Sequence, residues 1–121
     1  MKVIRAIFVQ LVHSVMKLHE RGIVHRDLKH QNILVDSSEA SPADALLNIE
    51  SLRVLITDFG FAIKLEDLVK EERYPCLGTP THWPYEMIVP CLDPAGRKIV
   101  YDERVDIWCL GIILYSLIFQ G

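Results

Sequence analysis

Two long segments that predict helices frame this chain, and between them lie a short extended piece that begins at Ile23-Val24 and two short runs of β-branched residues. In residues 3–20, apolar side chains recur at helical spacing, which predicts an amphipathic helix. The second segment, from about 102 to 120, is apolar nearly all round and predicts a buried helix. Its expected core residues are Trp108, Leu110, Ile113, Leu114 and Leu117. The runs at 33–35 and 54–56 predict a pair of short strands, so the expected fold class is α+β, mainly α.

The connections between these elements are long. Residues 36–53 begin with a polar stretch and form an insertion between the two expected strands. Residues 61–80 carry many charges and end in Gly-Thr-Pro, which is typical of a long loop. Residues 90–103 contain two prolines and a glycine and predict a second irregular connection.

Composition argues against several classes of function. The net charge of −3 gives no basic surface for nucleic acid and none for a membrane. The apolar run at 107–119 is shorter than the roughly 20 residues that cross a bilayer. The three cysteines lack metal-site spacing, and their odd number predicts reduced thiols in a cytoplasmic protein. We therefore expect neither a nucleic-acid partner nor membrane association.

Three motifs in a fixed order carry the chemical signal. The segment 25–32 reads His-Arg-Asp-Leu-Lys-His-Gln-Asn, and Asp-Phe-Gly follows the second expected strand at 58–60. Gly-Thr-Pro, the third motif, comes next at 78–80. After these three motifs, Asp106 and Trp108 stand near the start of the last expected helix. In this order and context the motifs resemble the eukaryotic protein kinase superfamily, of the serine/threonine type, over essentially the whole chain.

This resemblance implies a partial protein kinase domain over residues 1–121, namely the core of the C-terminal lobe. Its parts would be the catalytic loop 25–32, the metal motif 58–60, the activation and substrate-docking segment 61–87 and the central helix 104–120. The glycine loop, lysine strand and adenine hinge of the N-terminal lobe are absent from the sequence. The chain by itself is therefore expected to be inactive.

The resemblance also assigns five candidate site residues. Asp27 would accept the proton of a substrate hydroxyl, although on its own it reads as a turn aspartate. Lys29 would contact the γ-phosphate of ATP, with a solvated surface lysine as the alternative. Asn32 and Asp58 would bind Mg²⁺ together with phosphate oxygens; separately they read as turn and strand-end residues. Thr79 would hydrogen-bond near Asp27 and Lys29.

Other residues are expected to support this site. His25 would pack under the catalytic loop, and Asp106 would accept hydrogen bonds from the backbone of that loop. Glu86 would be a buried carboxylate whose partner in the family is an arginine on a later helix. Two departures from the family stand in this region: Pro84-Tyr85 replaces Ala-Pro, and His82 replaces a frequent tyrosine.

A narrower resemblance is to the catalytic γ subunit of phosphorylase kinase, within the calmodulin-dependent group. It is based on phenylalanine after residues 58–60, on glutamates before residues 78–80 and on the extended connection before Val105. The insertion and His30, where proline is usual, depart from it. The resemblance implies a role in glycogen metabolism and a protein substrate with serine or threonine. Calmodulin and regulatory subunits would bind through regions outside this chain.

The activation segment predicts activity without phosphorylation. Arg26 precedes Asp27, and kinases with this arginine usually need a negative charge in the segment. Tyr74 carries the only hydroxyl between residues 61 and 77. Glu71 or Glu72 would therefore substitute for a phosphate, with a solvated acidic loop as the alternative.

A second class of function remains open at this point. The chain could be a pseudokinase-like binding module that engages a partner without catalysis. The changes at Pro84-Tyr85 favour this alternative mildly. The intact Asp27, Asn32 and Asp58 argue against it.

Overall fold

A computed structural model of the chain describes residues 1–38, 41–70, 76–93, 95 and 100–119, with the backbone alone for residues 45–47. The helices in this part of the chain are α1 (Lys2–Glu20), α2 (Pro42–Leu47), α3 (Leu65–Leu68), α4 (Tyr85–Leu92) and α5 (Arg104–Phe119). The strands are β1 (Ile23–Val24), β2 (Ile33–Ser37), β3 (Leu52–Ile56) and β4 (Ile63–Lys64). Three-residue 3₁₀ turns lie at His30–Asn32, Ile49–Ser51 and Pro80–His82.

Helix α1 confirms the first predicted helix. Its apolar face buries Leu11 and Val15 in the core. The chain leaves the helix at Gly22, whose φ of 67° is left-handed and whose N–H donates to the carbonyl of His19 at 2.8 Å. Glycine adopts this conformation without the steric cost that other residues meet, so it ends the helix cleanly.

The predicted strand pair is also confirmed. Strands β2 and β3 are antiparallel, with Ile33 opposite Ile56 and Ser37 opposite Leu52. Gln10 of α1 fixes the hairpin from one side: its Nε2 donates to the carbonyl of Leu52 at 3.0 Å, and its Oε1 accepts from the N–H of Val54 at 3.2 Å. The hairpin therefore has a defined position on α1, and its open end points at the candidate site.

Of a second, shorter strand pair, the extended piece at Ile23-Val24 was predicted, but its pairing was not. Strand β1 pairs antiparallel with β4, with Ile23 opposite Lys64 and Val24 opposite Ile63. Part of the predicted loop at 61–80 is therefore regular, since β4 and α3 lie within it. The consequence for function is that the chain directly before residue 25 lies beside the chain that follows residue 60. Glu71, Glu72 and Tyr74 lie outside the described residues.

Two apolar clusters form the core, and α5 contributes to both. The first is built from Leu11, Val15, Leu28, Val54, Cys109, Leu110 and Ile113. The second is built from Val24, Leu68, Met87, Tyr101 and Val105. The segment 25–32 connects the two clusters, because it follows the fully buried Val24 of the second cluster and contributes the fully buried Leu28 to the first.

The expectation that α5 is buried all round is wrong for one of its faces. Trp108, a predicted core residue, is 49% exposed, and Ile107 and Phe119 are exposed as well. Periodicity could not reveal this face because both sides of the helix are apolar. Leu110 and Ile113 are core residues as predicted. No helix in the described ranges is long and apolar enough to span a membrane.

The prediction of three reduced thiols is wrong for two of them. Cys76 and Cys91 form a disulfide, with Cα atoms 6.5 Å apart, because α4 returns to the segment that precedes it. Cys91 lies in α4, so the helix also covers the start of the connection predicted at 90–103. Cys109 remains a thiol, and burial raises its pKa to about 12.

Candidate active site

The buried carboxylate of Asp106 organises the loop of residues 25–32. Its Oδ2 accepts the N–H of His25 at 2.9 Å, and its Oδ1 accepts the N–H of Arg26 at 3.0 Å. The role predicted for Asp106 is thereby confirmed. The residue stands in the first turn of α5, where the helix dipole favours a negative charge.

His25 connects the loop to the end of the β2–β3 hairpin. The N–H of Asp27 donates to His25 Nδ1 at 3.2 Å, and His25 Nε2 lies 3.0 Å from the carbonyl oxygen of Thr57. These two contacts together fit the tautomer that carries its proton on Nε2. The ring of Phe59 packs edge-on against His25 at 5.0 Å between centroids. His25 is fully buried and is a packing residue, as predicted.

Two residues of the site have left-handed backbones although neither is glycine. Arg26 has a φ of 67° and Asp58 a φ of 58°. Such a conformation costs about 1–2 kcal/mol for an L-residue, with aspartate among those that tolerate it best. Contacts with the surrounding structure therefore hold both residues in this strained conformation. The strained backbone of Arg26 orients the following Asp27, and that of Asp58 orients its own carboxylate.

Three of the predicted catalytic residues lie in direct contact. Thr79 Oγ1 donates to Asp27 Oδ1 at 2.9 Å, and Lys29 Nζ donates to Thr79 Oγ1 at 3.0 Å. Lys29 Nζ also lies 3.4 Å from Asp27 Oδ2. The Asp27 side chain is only 4% exposed, so its charge is balanced mainly by these neighbours. We call this arrangement of Asp27, Lys29 and Thr79 the catalytic triangle.

The side-chain amide nitrogen of Asn32 also contacts Asp27. Asn32 Nδ2 donates to the carbonyl of Asp27 at 2.8 Å and lies 3.3 Å from Asp27 Oδ2. The side-chain oxygen of Asn32 is thereby turned away from Asp27. The N–H and hydroxyl of Thr57 both donate to the carbonyl of Asn32, at 2.8 and 3.2 Å. Asp58, the next residue, is thus placed beside Asn32.

The residues at this position suit a hard cation that is bound largely by phosphate and water. No cluster of three or more histidine, cysteine, aspartate or glutamate side chains occurs within the described ranges. Mg²⁺ needs no such cluster, because one or two oxygen ligands from the protein suffice beside phosphate. The exposed carboxylate of Asp58 and the amide oxygen of Asn32, which faces away from Asp27, match that requirement.

Gly78 allows the segment with Thr79 to approach the catalytic loop. Its φ is 90°, and a Cβ built on it would lie 2.5 Å from the carbonyl oxygen of Arg26. The same Cβ would lie 3.3 Å from Asp27 Oδ1. Any side chain here would push Thr79 away from Asp27.

Two contributors to the site were missed by sequence reasoning. Tyr101 is 5% exposed, and its hydroxyl accepts Arg26 Nη1 at 3.2 Å, while Arg26 Nε donates to the carbonyl of Phe61 at 2.6 Å. His19 Nε2 lies 2.8 Å from Asp106 Oδ2. A single tyrosine in an irregular connection and a histidine near a helix end carry no spacing signal that would have revealed these contacts.

Glu86 and His82 of the docking segment both lie in environments that the sequence did not predict. Glu86 is exposed, which corrects the expectation of a buried carboxylate. The pKa of Arg104 is raised chiefly by its hydrogen bond to Asp102, and the charge of Glu86 acts in the same direction. His82 has a buried Nε2 without a hydrogen-bond partner in the part of the chain that the structure describes. Burial first, and then the neighbouring His30, lower the pKa of His82.

Comparison with known proteins agrees with this geometry. Residues 1–121 match the model of the protein kinase domain. Serine/threonine-protein kinase ULK3 of Homo sapiens is 36% identical over 118 residues, which cover 98% of this chain and 21% of that kinase. Human serine/threonine-protein kinase ULK1 is 35% identical over 113 residues, or 93% of this chain and 9% of that protein.

A third relative comes from Drosophila melanogaster. Its ovarian-specific serine/threonine-protein kinase Lok is 33% identical over 109 residues, which cover 90% of this chain and 19% of that protein. The chain thus spans about a fifth or less of the length of each of these three relatives. The match to the domain model over residues 1–121 shows that the chain belongs to the protein kinase domain family.

Proposed function

We propose that this chain forms the catalytic core of the C-terminal lobe of a serine/threonine protein kinase. Joined to a nucleotide-binding lobe, it would transfer the γ-phosphate of ATP to a serine or threonine hydroxyl of a protein. The observation that carries the proposal is the catalytic triangle, in which Thr79 and Lys29 both contact Asp27. The names of the three relatives support the choice of serine and threonine over tyrosine.

The geometry gives a different role to each side chain of the catalytic triangle. Thr79 Oγ1 donates to Asp27 Oδ1 at 2.9 Å, whereas Asn32 Nδ2 and Lys29 Nζ lie 3.3 and 3.4 Å from Oδ2. Because its contacts are longer, Oδ2 is the oxygen that takes the proton of the substrate hydroxyl. Lys29 Nζ, 3.4 Å from that oxygen, provides a positive charge for the transferred phosphoryl group. Phosphoryl transfer depends on such positioning and charge neutralisation more than on covalent help from the enzyme.

Asn32 and Asp58 are the residues that would hold Mg²⁺. When bound, Mg²⁺ neutralises charge on the phosphates of ATP. The contribution of this chain is to orient the two oxygen ligands. The hydrogen bonds from Asn32 Nδ2 to Asp27 fix the amide, and the N–H of Gly60 donates to Asp58 Oδ1 at 3.2 Å and restrains the carboxylate.

The narrower assignment to phosphorylase kinase γ stays a prediction of the sequence. The relatives described above are kinases with other names. Calmodulin, regulatory subunits and a role in glycogen metabolism are part of that prediction. A cytoplasmic location, which was expected from the cysteines, also stays a prediction. The substitution of Glu71 or Glu72 for a phosphate also stays a prediction, because those residues lie outside the described ranges.

The proposal is tested with this chain fused to a kinase nucleotide-binding lobe and assayed with Mg-ATP and a mixture of protein substrates. Asp27→Asn should lower kcat by about 10²-fold or more, the scale expected for a positioned general base. Asp67→Asn is the matched control, because Asp67 is exposed and its contact is a surface pair with Lys70. A wild-type fusion that binds Mg-ATP without transferring phosphate would instead favour the binding-module alternative.

A further inference from the structure

The disulfide lies next to the candidate site. Cys76 precedes Thr79 by three residues, and Cys91 lies in the last turn of α4. The bond closes a loop between residues 15 positions apart, and that loop contains Gly78 and Thr79. Cys76 is exposed, so a small thiol in solution can reach the bond.

The two ends of this loop differ in how they are held. At the far end, Pro84 and Met87 are buried, Trp83 packs against the second core cluster, and the Cys109 thiol contacts the carbonyl of His82 at 3.3 Å. Helix α4 is therefore attached to the core independently of the disulfide. At the near end, the disulfide ties Cys76 to that attached helix.

The loop between these ends positions Thr79 on Asp27. Gly78 packs directly against the carbonyl of Arg26, and Thr79 Oγ1 bridges Asp27 and Lys29. Leu77 is held from within the loop, since its carbonyl accepts a hydrogen bond from Trp83 Nε1 at 2.8 Å. A restraint at Cys76 thus limits how far Gly78 and Thr79 can move from the catalytic loop.

We propose that Cys76 and Cys91 form a reversible redox-modification site that controls the position of Thr79 on Asp27. In the oxidised chain the disulfide keeps Thr79 in the catalytic triangle. In the reduced chain the tether is lost, and the segment from Cys76 to Thr79 moves more freely. The consequence for phosphoryl transfer depends on the proposed function, whereas the existence of the tether does not.

The chemistry is thiol–disulfide exchange with a dithiol. One thiolate of the dithiol attacks the sulfur of Cys76, the exposed cysteine of the pair, and forms a mixed disulfide with it. The second thiolate then releases the other cysteine. The protein gains two electrons and two protons as two thiols, and the dithiol is oxidised to its own disulfide. Cys109 takes no part, because it is buried in the first core cluster and its thiol donates to the carbonyl of His82.

The test compares hydrogen exchange in the oxidised chain and in the same chain reduced with dithiothreitol. Peptides that cover residues 77–83 should exchange at least about tenfold faster after reduction, because a covalent restraint on local opening is removed. Peptides from α1 should exchange at unchanged rates. Cys91→Ser should show the fast exchange with or without dithiothreitol, and Cys76→Ser should show the same. Cys109→Ala, the matched control, should keep the response.

Three results would overturn the proposal. The first concerns the intact mass after treatment with glutathione disulfide. The proposal predicts a mass two hydrogens below that of the reduced protein, with one free thiol; an unchanged mass with three free thiols would contradict it. Exchange at 77–83 would be the same in both redox states. Reduction would accelerate α1 and residues 77–83 equally, which would make the disulfide a general stabiliser without a local role. None of these readouts requires ATP or substrate, so they are independent of the proposed function.

Discussion

Asp106 and Arg26 are 80 residues apart in the chain, yet the Asp106 carboxylate accepts the N–H of Arg26 at 3.0 Å. The other carboxylate oxygen accepts the N–H of His25 and contacts His19. The strained turn that precedes Asp27 is therefore held by helix α5. The position of the catalytic carboxylate is set from a helix that does not itself line the catalytic triangle.

Removal of that carboxylate should destabilise the whole chain. Asp106→Ala leaves two backbone N–H groups without this acceptor, a buried one at His25 and a partly buried one at Arg26, which costs about 3 kcal/mol in the free energy of unfolding. Urea unfolding monitored by circular dichroism measures the change. Asp67→Ala, which removes an exposed pair with Lys70, should cost less than about 1 kcal/mol. Equal losses in the two variants would contradict the role given to Asp106.

Two glycines should respond to alanine in opposite directions. Gly78→Ala places a Cβ against the carbonyl of Arg26 on a left-handed backbone, so we expect a loss on the order of 1–3 kcal/mol. Gly111→Ala meets no atom within 4 Å in the interior of α5 and should stabilise the chain by up to about 1 kcal/mol. Thermal unfolding of both variants checks the pair. A neutral Gly78→Ala variant would show that the close approach does not occur.

The hydroxyl of Tyr101 should hold Arg26 in place. Tyr101→Phe keeps the buried ring and removes the acceptor for Arg26 Nη1, which should cost about 1–3 kcal/mol because the donor is charged. Tyr115→Phe is the control, since Tyr115 is exposed on α5. Urea unfolding gives the stabilities, and NMR signals of the Arg26 guanidinium report its mobility. Unchanged Arg26 signals in Tyr101→Phe would argue against this role.

His82 should titrate below its ordinary pKa of 6.5. Burial disfavours the charged ring, and the nearby charges of His30 and Lys29 act in the same direction. The unfolded chain then binds more protons than the folded chain below pH 6.5. The contribution of His82 to stability is therefore full above pH 6.5 and is lost as the pH falls through the lower folded pKa.

The His82 titration is measured from the imidazole proton signals, with His82→Gln used to assign them. The same variant should show a weaker fall in unfolding free energy on acidification. A folded-state pKa at or above 6.5 for His82 would refute the effect of burial.

The parts of the fold that could be predicted are those with long or ordered sequence signals. Helix α1 has a clear apolar face, and the strand pair β2–β3 has two β-branched runs. Asp27, Asn32 and Asp58 were identified because three motifs occur in order, and a resemblance of this kind assigns roles that single residues do not. The structure then brings Thr79 and Lys29 to Asp27, as the resemblance implies.

The missed parts have physical reasons of their own. The pairing of β1 with β4 was missed because each strand contains two residues, which is too short for an alternating pattern to appear. The Cys76–Cys91 bond depends on the fold of α4, and connectivity cannot be deduced from cysteine positions alone. Tyr101 reaches Arg26 through tertiary packing, which leaves no local trace in the sequence.

At position 58 the left-handed backbone favours glycine, whereas the proposed function requires the carboxylate of aspartate. Within the described ranges the Asp58 carboxylate accepts one hydrogen bond, from the N–H of Gly60. Glycine at position 58 would therefore relieve the strained φ and lose little that supports the fold. A library of variants screened for thermal resistance alone should therefore enrich glycine at this position. The same library screened for phosphoryl transfer should return aspartate, so the preferred residue at 58 would reveal which of the two properties was under selection.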